Sequence, residues 1–193
     1  MKRKALLIDD HLPSRNSLAR ALREQGCEVI GEAADEESAV GLARALSPDV
    51  VFVAFGLSGA DGVTVARHLM EARPLPIVML TSHFEKDTIE RAKAAGVMAY
   101  LVKPLRKEEL LPAIELAISR YAELRSLRTD NETLKKMLAS RKLIERAKGI
   151  LMKSQGLSEA DAFALLQKKS MTSHLPMVEI ARAIILAEDV KRG

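Results

Sequence analysis

The run Val50-Val51-Phe52-Val53-Ala54-Phe55 is apolar at every position, with Pro48-Asp49 before it and Gly59-Ala60-Asp61-Gly62 soon after. A strand with one wet face alternates apolar and polar side chains. An unbroken apolar run between turn formers reads instead as a strand covered on both faces, as in a parallel sheet. Working outward, Ala5–Ile8, Ile77–Leu80 and Ala99–Val102 read the same way, and Cys27–Gly31 supplies a fifth strand. Between them apolar residues recur at helical spacing: Leu18, Ala21 and Leu22; Ala39, Leu42, Ala43 and Leu46; Val65 and Leu69; Ile89, Ala92 and Ala95. Gly26 and Gly96 stand where helices should end. Five β–α repeats predict right-handed crossovers and an α/β, doubly wound (βα)5 domain over residues 1–120. In that architecture the functional crevice lies at the carboxyl ends of the strands. Here those ends are Asp9-Asp10, Ala54-Phe55, Thr81-Ser82 and Lys103-Pro104.

Composition sets the outer bounds. The 193 residues are 48% apolar and 29% charged, the balance of a soluble globular chain. Aromatic residues make up 3%, with no Trp, so the core must rest on Leu, Ile, Val, Ala and Met. That scarcity argues against a broad aromatic platform for single-stranded nucleic acid. The single cysteine, Cys27, fits a reducing cytosol and, at the head of an apolar run, is expected to be buried. No signal-peptide pattern is present, and no apolar stretch approaches the roughly 18 residues of a membrane span. A cytoplasmic protein with no membrane partner is therefore expected. Charge is uneven. Residues 1–120 carry 16 basic and 17 acidic side chains, whereas residues 121–193 carry 14 and 9. The basic excess of the C-terminal part favours a polyanionic partner there.

From about Arg106 the pattern is purely helical. Leu110, Ile114, Ala117 and Tyr121 form one stripe, and Leu124, Leu127, Asn131, Leu134 and Leu138 extend it at alternating three- and four-residue steps. Asn131 then occupies an a-type position, where a buried Asn fixes register in parallel dimers. This predicts a coiled-coil linker over 121–140 and a homodimer, against the alternative of an amphipathic helix packed on its own domain. No breaker interrupts residues 113–148, so the linker should be a rigid helix. Gly156 should end it. Ser158-Glu159-Ala160-Asp161 resembles a capping box, with Leu157 as its staple residue, and starts a second helix reaching about Ser170. Pro176 suits the first turn of a third. Residues 141–193 are thus expected to form an all-α three-helix domain.

The first domain resembles the receiver domains of two-component response regulators over essentially all of residues 1–120. The residues that carry the likeness are the acidic pair Asp9-Asp10, Thr81, Lys103-Pro104 and Tyr100. The resemblance implies a phosphorelay site: an acidic cluster for Mg2+, which takes hard oxygen ligands, and a Lys and a hydroxyl that stabilise phosphoryl oxygens. Thr81 and Tyr100 would be its switch pair. The departure is at position 54. The family carries its phosphate-accepting Asp at the end of this strand, and here the residue is Ala54. A methyl group neither accepts phosphate nor ligates a metal, so the resemblance leaves only a weak Mg2+ site at Asp9 and Asp10. Asp49 precedes the strand and Asp61 opens the next helix, and neither is placed to substitute. Two readings stay open: a receiver switched by something other than phosphorylation, or an Ala standing where the natural protein has Asp.

Residues 141–186 resemble the ANTAR domain, the three-helix output module of transcription antitermination regulators, above all in Ala147-Lys148-Gly149-Ile150-Leu151-Met152 and Ala162-Phe163. The resemblance implies RNA binding, usually by dimers that hold a hairpin leader RNA. Ala147, Ile150, Leu151, Ala162, Phe163, Leu166, Ile180, Ala181 and Ile184 read as core. The exposed complement is expected to be basic: Arg141, Lys142, Arg146, Lys148, Lys153, Lys168, Lys169 and Arg182 are candidate RNA contacts through phosphate or unpaired loop bases. A sensor kinase or a ligand-sensing partner protein would supply the signal. The rival readings are a DNA-binding response regulator and a protein-interaction adaptor. Against the first, the chain shows no second turn and no separate recognition helix after Ile180-Ala181. No Ser/His/Asp set or metal-ligand cluster marks the C-terminal domain, so no enzyme is expected.

Overall fold

Residues 2–82 and 86–192 are described by the computed structural model. The chain runs β1 (Lys4–Ile8), α1 (Leu12–Glu24), β2 (Glu28–Ala33), α2 (Glu36–Leu46), β3 (Val50–Ala54), the two-residue strands β4 (Gly56–Leu57) and β5 (Ala60–Asp61), and α3 (Gly62–Ala72). It continues through β6 (Ile77–Thr81), α4 (Lys86–Ala94), β7 (Ala99–Val102), α5 (Lys107–Gln155), α6 (Glu159–Ser173) and α7 (Met177–Arg192). It divides into two compact units, Met1–Arg125 and Ser126–Gly193.

In the first unit five strands form one parallel sheet in the order β2-β1-β3-β6-β7. All of β3 and β6 is buried, which is why their sequences show no alternation. Alternation instead decides which layer each side chain joins, because successive Cβ atoms point to opposite faces. Leu6, Ile8, Val51 and Val53 pack with Ala39, Ala43, Val65, Leu69 and Ala92 from α2, α3 and α4. Ala5, Leu7, Val50 and Phe52 pack on the other face with Leu18 and Leu22 of α1 and Leu110, Ile114 and Ala117 of α5. Each fully buried large apolar side chain contributes roughly 1.5–3 kcal/mol.

The edge strand β2 departs from its expected bounds, running Glu28–Ala33 rather than Cys27–Gly31. Its burial is mixed, as an edge strand's is, so its pattern is the loosest of the five. Cys27 precedes it and is buried, as expected, and burial pushes its thiol pKa up. Between β3 and α3 the short hairpin β4–β5 has no counterpart in the sequence reading. It folds back so tightly that a Cβ on Gly62 would lie 2.1 Å from the Ala54 carbonyl oxygen. Only a glycine fits there.

The second unit holds the distal part of α5 with α6 and α7. Its core is Ala147 and Leu151, Ala162 and Leu166, and Ala181 and Ile185, two from each helix. The three alanines allow close helix approach. Gly156 ends α5 with φ at +68°, a conformation that costs glycine little. The Ser158 hydroxyl then accepts the Asp161 N–H at 3.2 Å and caps α6. α7 begins at Met177, directly after Pro176.

Candidate functional site

Parallel strands deliver their C-terminal residues to one rim, and so Asp9, Ala54, Thr81 and Lys103 meet there. Asp9 is 2% exposed. One of its oxygens accepts the Lys103 ammonium at 2.7 Å and the other the His11 N–H at 3.0 Å. Lys103 is in turn fixed by its own N–H, which donates to the Thr81 carbonyl at 2.8 Å. Asp10 turns away from this pair. It accepts both the N–H of Ser58, at 2.7 Å, and the Ser58 hydroxyl, from the tip of the β4–β5 hairpin. The Ser58 hydroxyl bond, with the Ser58 N–H second, holds the Asp10 carboxyl below its usual pKa. Ala54, Thr81, Ser82, Thr88, Arg91 and Lys103 line a cleft of about 380 Å3. Tyr100 is half-buried, its hydroxyl donating to the Ile89 carbonyl at 3.2 Å, and burial raises its pKa.

These donors do not fit Mg2+. Both oxygens of Asp9 are engaged and one oxygen of Asp10 holds Ser58, while position 54 offers a methyl group in place of a third carboxylate. Among the described residues no cluster of three or more His, Cys, Asp or Glu side chains could hold a metal. Asp49 lies at the far end of β3, its carboxylate on the Lys4 N–H at 2.8 Å. Asp61 caps α3 by accepting the Val63 N–H at 3.0 Å and pairs with Arg91. Neither reaches the position of a missing acceptor. Ser58, from the tip of the β4–β5 hairpin, and Arg91, from α4, are the participants that the sequence reading missed, because neither stands at a strand end.

In the second unit the candidate basic residues separate into groups. Arg141, Lys142, Lys153, Lys168 and Lys169 are exposed. Arg146 is exposed and bonds both Asp189 oxygens, at 2.9 and 3.1 Å, and Arg182 pairs with Glu179 at 3.6 Å. Lys148 is not the exposed residue expected. It is 8% exposed and lies between Glu159 at 2.7 Å and Glu145 at 2.9 Å, and these bonds, Glu159 foremost, raise its pKa. Phe163 reverses in the other direction. Expected in the core, it is 44% exposed, because Ala162 takes the inward position and the next residue turns about 100° around the helix. Its ring joins Lys136, Met137, Arg141 and Ile144 around a cleft of about 550 Å3.

Comparison with known proteins agrees with this division. Residues 5–115 match the response regulator receiver domain family, and residues 132–185 match the ANTAR domain family. The transcriptional regulatory protein PdtaR of Mycobacterium tuberculosis is 42% identical over 183 residues, which is 95% of this chain and 89% of that protein. The transcriptional regulatory protein LiaR of Bacillus subtilis is 37% identical over 125 residues, covering 64% of this chain and 59% of that protein. Among solved structures, the signal receiver domain of a modulated diguanylate cyclase from Desulfovibrio desulfuricans superposes with a TM-score of 0.59 at 33% identity, over 63% of this chain and 98% of that one. No helix among the described residues is long and apolar enough to cross a membrane.

Proposed function

We infer the mode of action from the family, for this chain belongs to the response regulators that carry an ANTAR output domain. It is a regulator that acts as an RNA-binding transcription antiterminator. We assign residues 1–120 to the receiver-like input, 121–140 to a coiled-coil linker and 141–193 to the RNA-binding output, in a cytoplasmic protein without enzymatic activity. The ligand is a hairpin leader RNA. The observation that carries this is the exposed Phe163 ring beside Arg141 on a basic unit. An aromatic that leaves the core to stand next to a guanidinium suits an unpaired loop base and its phosphate. Arg141, Lys142, Lys153, Lys168 and Lys169 supply the surrounding charge, with Arg146 and Arg182 available on exchanging their acidic partners. Lys148 serves the fold and acts on RNA only indirectly.

The protein works as a homodimer. Leu127, Leu134 and Leu138 are 60, 65 and 57% exposed along α5, a heptad stripe that nothing in the single chain covers among the described residues. A receiver implies a kinase partner, but Ala54 offers no acceptor. The signal is therefore assigned to contact with a partner protein rather than to phosphoryl transfer.

Filter binding to a hairpin RNA, with and without competing duplex DNA, tests the reading. Duplex DNA should compete poorly; competition at equal concentration would favour a DNA-binding regulator. Phe163→Ala should cost about 1 kcal/mol of stability or less, as exposed positions do. It should cost about 1–3 kcal/mol of RNA affinity, the range for a lost base–aromatic stack. Unchanged affinity would remove Phe163 from the interface.

A further inference from the structure

A gathering of positive charge in the first unit lies at the opposite end of the sheet from Asp9. A groove of about 980 Å3 there is lined by Lys2, Arg3 and Lys4 at the start of β1, by Arg73 just after α3, and by Tyr121 and Arg125 on α5. Asp49 is the one carboxylate among its described lining residues. The contrast with the rest of the unit is sharp. Residues 1–125 carry 17 basic and 18 acidic side chains; five of those bases and one of those acids line the groove, leaving 12 and 17 elsewhere. The positive end of an otherwise acidic unit is thus a local feature and not an average.

Internal partners take up part of this charge. Arg3 pairs with Glu115. Arg73 spends its donors on neutral oxygens, the Ala43 carbonyl at 3.3 Å and the Ser47 hydroxyl at 2.5 Å, and keeps its charge. The Lys2 and Lys4 side chains are exposed, and neither ammonium has an ion pair among the described residues. The groove floor is apolar and closed, with Pro48, Leu75 and Pro76 buried. Its aromatic residue does not present a free edge for reading bases, since the Tyr121 hydroxyl donates to the Pro74 carbonyl at 2.8 Å. The exposed Lys2 and Lys4 ammoniums beside this apolar floor suit a repeating anion whose sequence is not read.

We propose that this groove is a second RNA contact of the chain, one that holds the phosphodiester backbone without sequence preference. The proposal rests on the assignment of the chain as an RNA binder. Its logic is that of tethering: RNA held by one unit is presented to the other at high effective concentration, so even a weak phosphate contact adds to the total. Phosphate contacts of this kind position a nucleic acid and carry no sequence information.

The test uses the full-length protein and a hairpin RNA, with filter binding from about 50 to 300 mM salt, where each phosphate contact adds roughly 0.7–0.9 to the slope of log K against log salt. Lys2→Gln, Lys4→Gln and Arg125→Gln are combined, and an unchanged circular dichroism spectrum shows that the fold is kept. The slope should fall by about 2 and affinity at low salt should drop on the order of tenfold. Arg141→Ala with Lys142→Ala serves as the comparison in the output domain. If that variant loses binding while the groove variant keeps wild-type affinity and slope, the groove proposal is wrong and RNA binding stands. If the unaltered protein binds no hairpin RNA, the functional assignment falls and this proposal with it. If the groove variant keeps RNA but loses binding to poly-L-glutamate, the groove takes an acidic polypeptide, which also overturns it.

Discussion

At Ala54 the side chain ends in a methyl group while the residues around it, Thr81, Lys103, Asp9 and Asp10, retain the types of a phosphate-handling site. Two outcomes follow from the geometry. Acetyl phosphate with Mg2+ should add no phosphate to the unaltered chain by intact mass, and a base-labile gain of one phosphate would refute the assignment of position 54. Ala54→Asp should accept phosphate slowly, and faster when combined with Ser58→Ala, because Ser58 otherwise holds the carboxylate of Asp10. Lys148 gives a pH test. Glu159 is held below its ordinary 4.5, chiefly by its bond to Lys148, and Lys148 is raised above 10.5. A depressed acid contributes stability above its unfolded value and loses it as pH falls through the folded one; a raised base contributes below its unfolded value and loses it as pH rises. The melting temperature of Lys148→Gln should therefore lie below wild type between about pH 5 and 10 and converge with it at either extreme. A gap that persists at pH 3 would point to packing of the lysine stem instead. The sequence held the clue to this residue: Glu145 is three residues before Lys148 on one helix, and Glu159 opens the next. Basic charge alone does not distinguish a lysine reaching outward from one paired with its neighbours.

Among the elements, those with a strong period were legible and those without one were not. β1, β3, β6 and β7 follow from unbroken apolar runs, and β3 and β6 are buried throughout. The β4–β5 hairpin has two residues per strand, too few for any alternation, and it exists because Gly62 permits close approach and Asp10 fastens its tip. α5 was legible as helix from about residue 106, and it runs on through Pro112, which the reading did not place, because a proline in the second turn removes one bond from a helix that has many. Phe163 was misread since apolar spacing on α6 accommodates either 162 or 163 facing inward, and the smaller residue took the closely packed place. The α5 stripe makes the prediction for this scale. Leu127→Asp with Leu134→Asp puts charge on the exposed seam and should give a folded chain of 21.2 kDa by light scattering. The unaltered protein should give twice that mass. A wild-type value of one chain at every concentration would remove the coiled coil.

The described residues form three hydrophobic clusters, two in the first unit and one in the second. Two layers sandwich the sheet in the first unit, and the buried residues of the third cluster come from α5, α6 and α7. Multi-domain chains often unfold in more than one step. Leu166→Ala removes a fully buried side chain from the third cluster and should cost about 2–5 kcal/mol there. By calorimetry it should lower one transition and leave the other in place; an equal shift of both would mean that the units unfold as one. This two-part plan was evident in the change from alternating strands and helices to helices alone near residue 106. The charge split, with 14 basic and 9 acidic residues in 121–193, pointed the same way.

Asp10 shows that a carboxylate of this rim can carry a structural task of its own. Its carboxylate fastens the β4–β5 hairpin through Ser58, a task that needs neither phosphate nor metal. Folding alone therefore accounts for a carboxylate at position 10, whatever residue stands at position 54. An acidic pair at this rim is accordingly a poor marker of a working receiver when ancestry is judged from sequence, and the tip of the hairpin has to be inspected together with it.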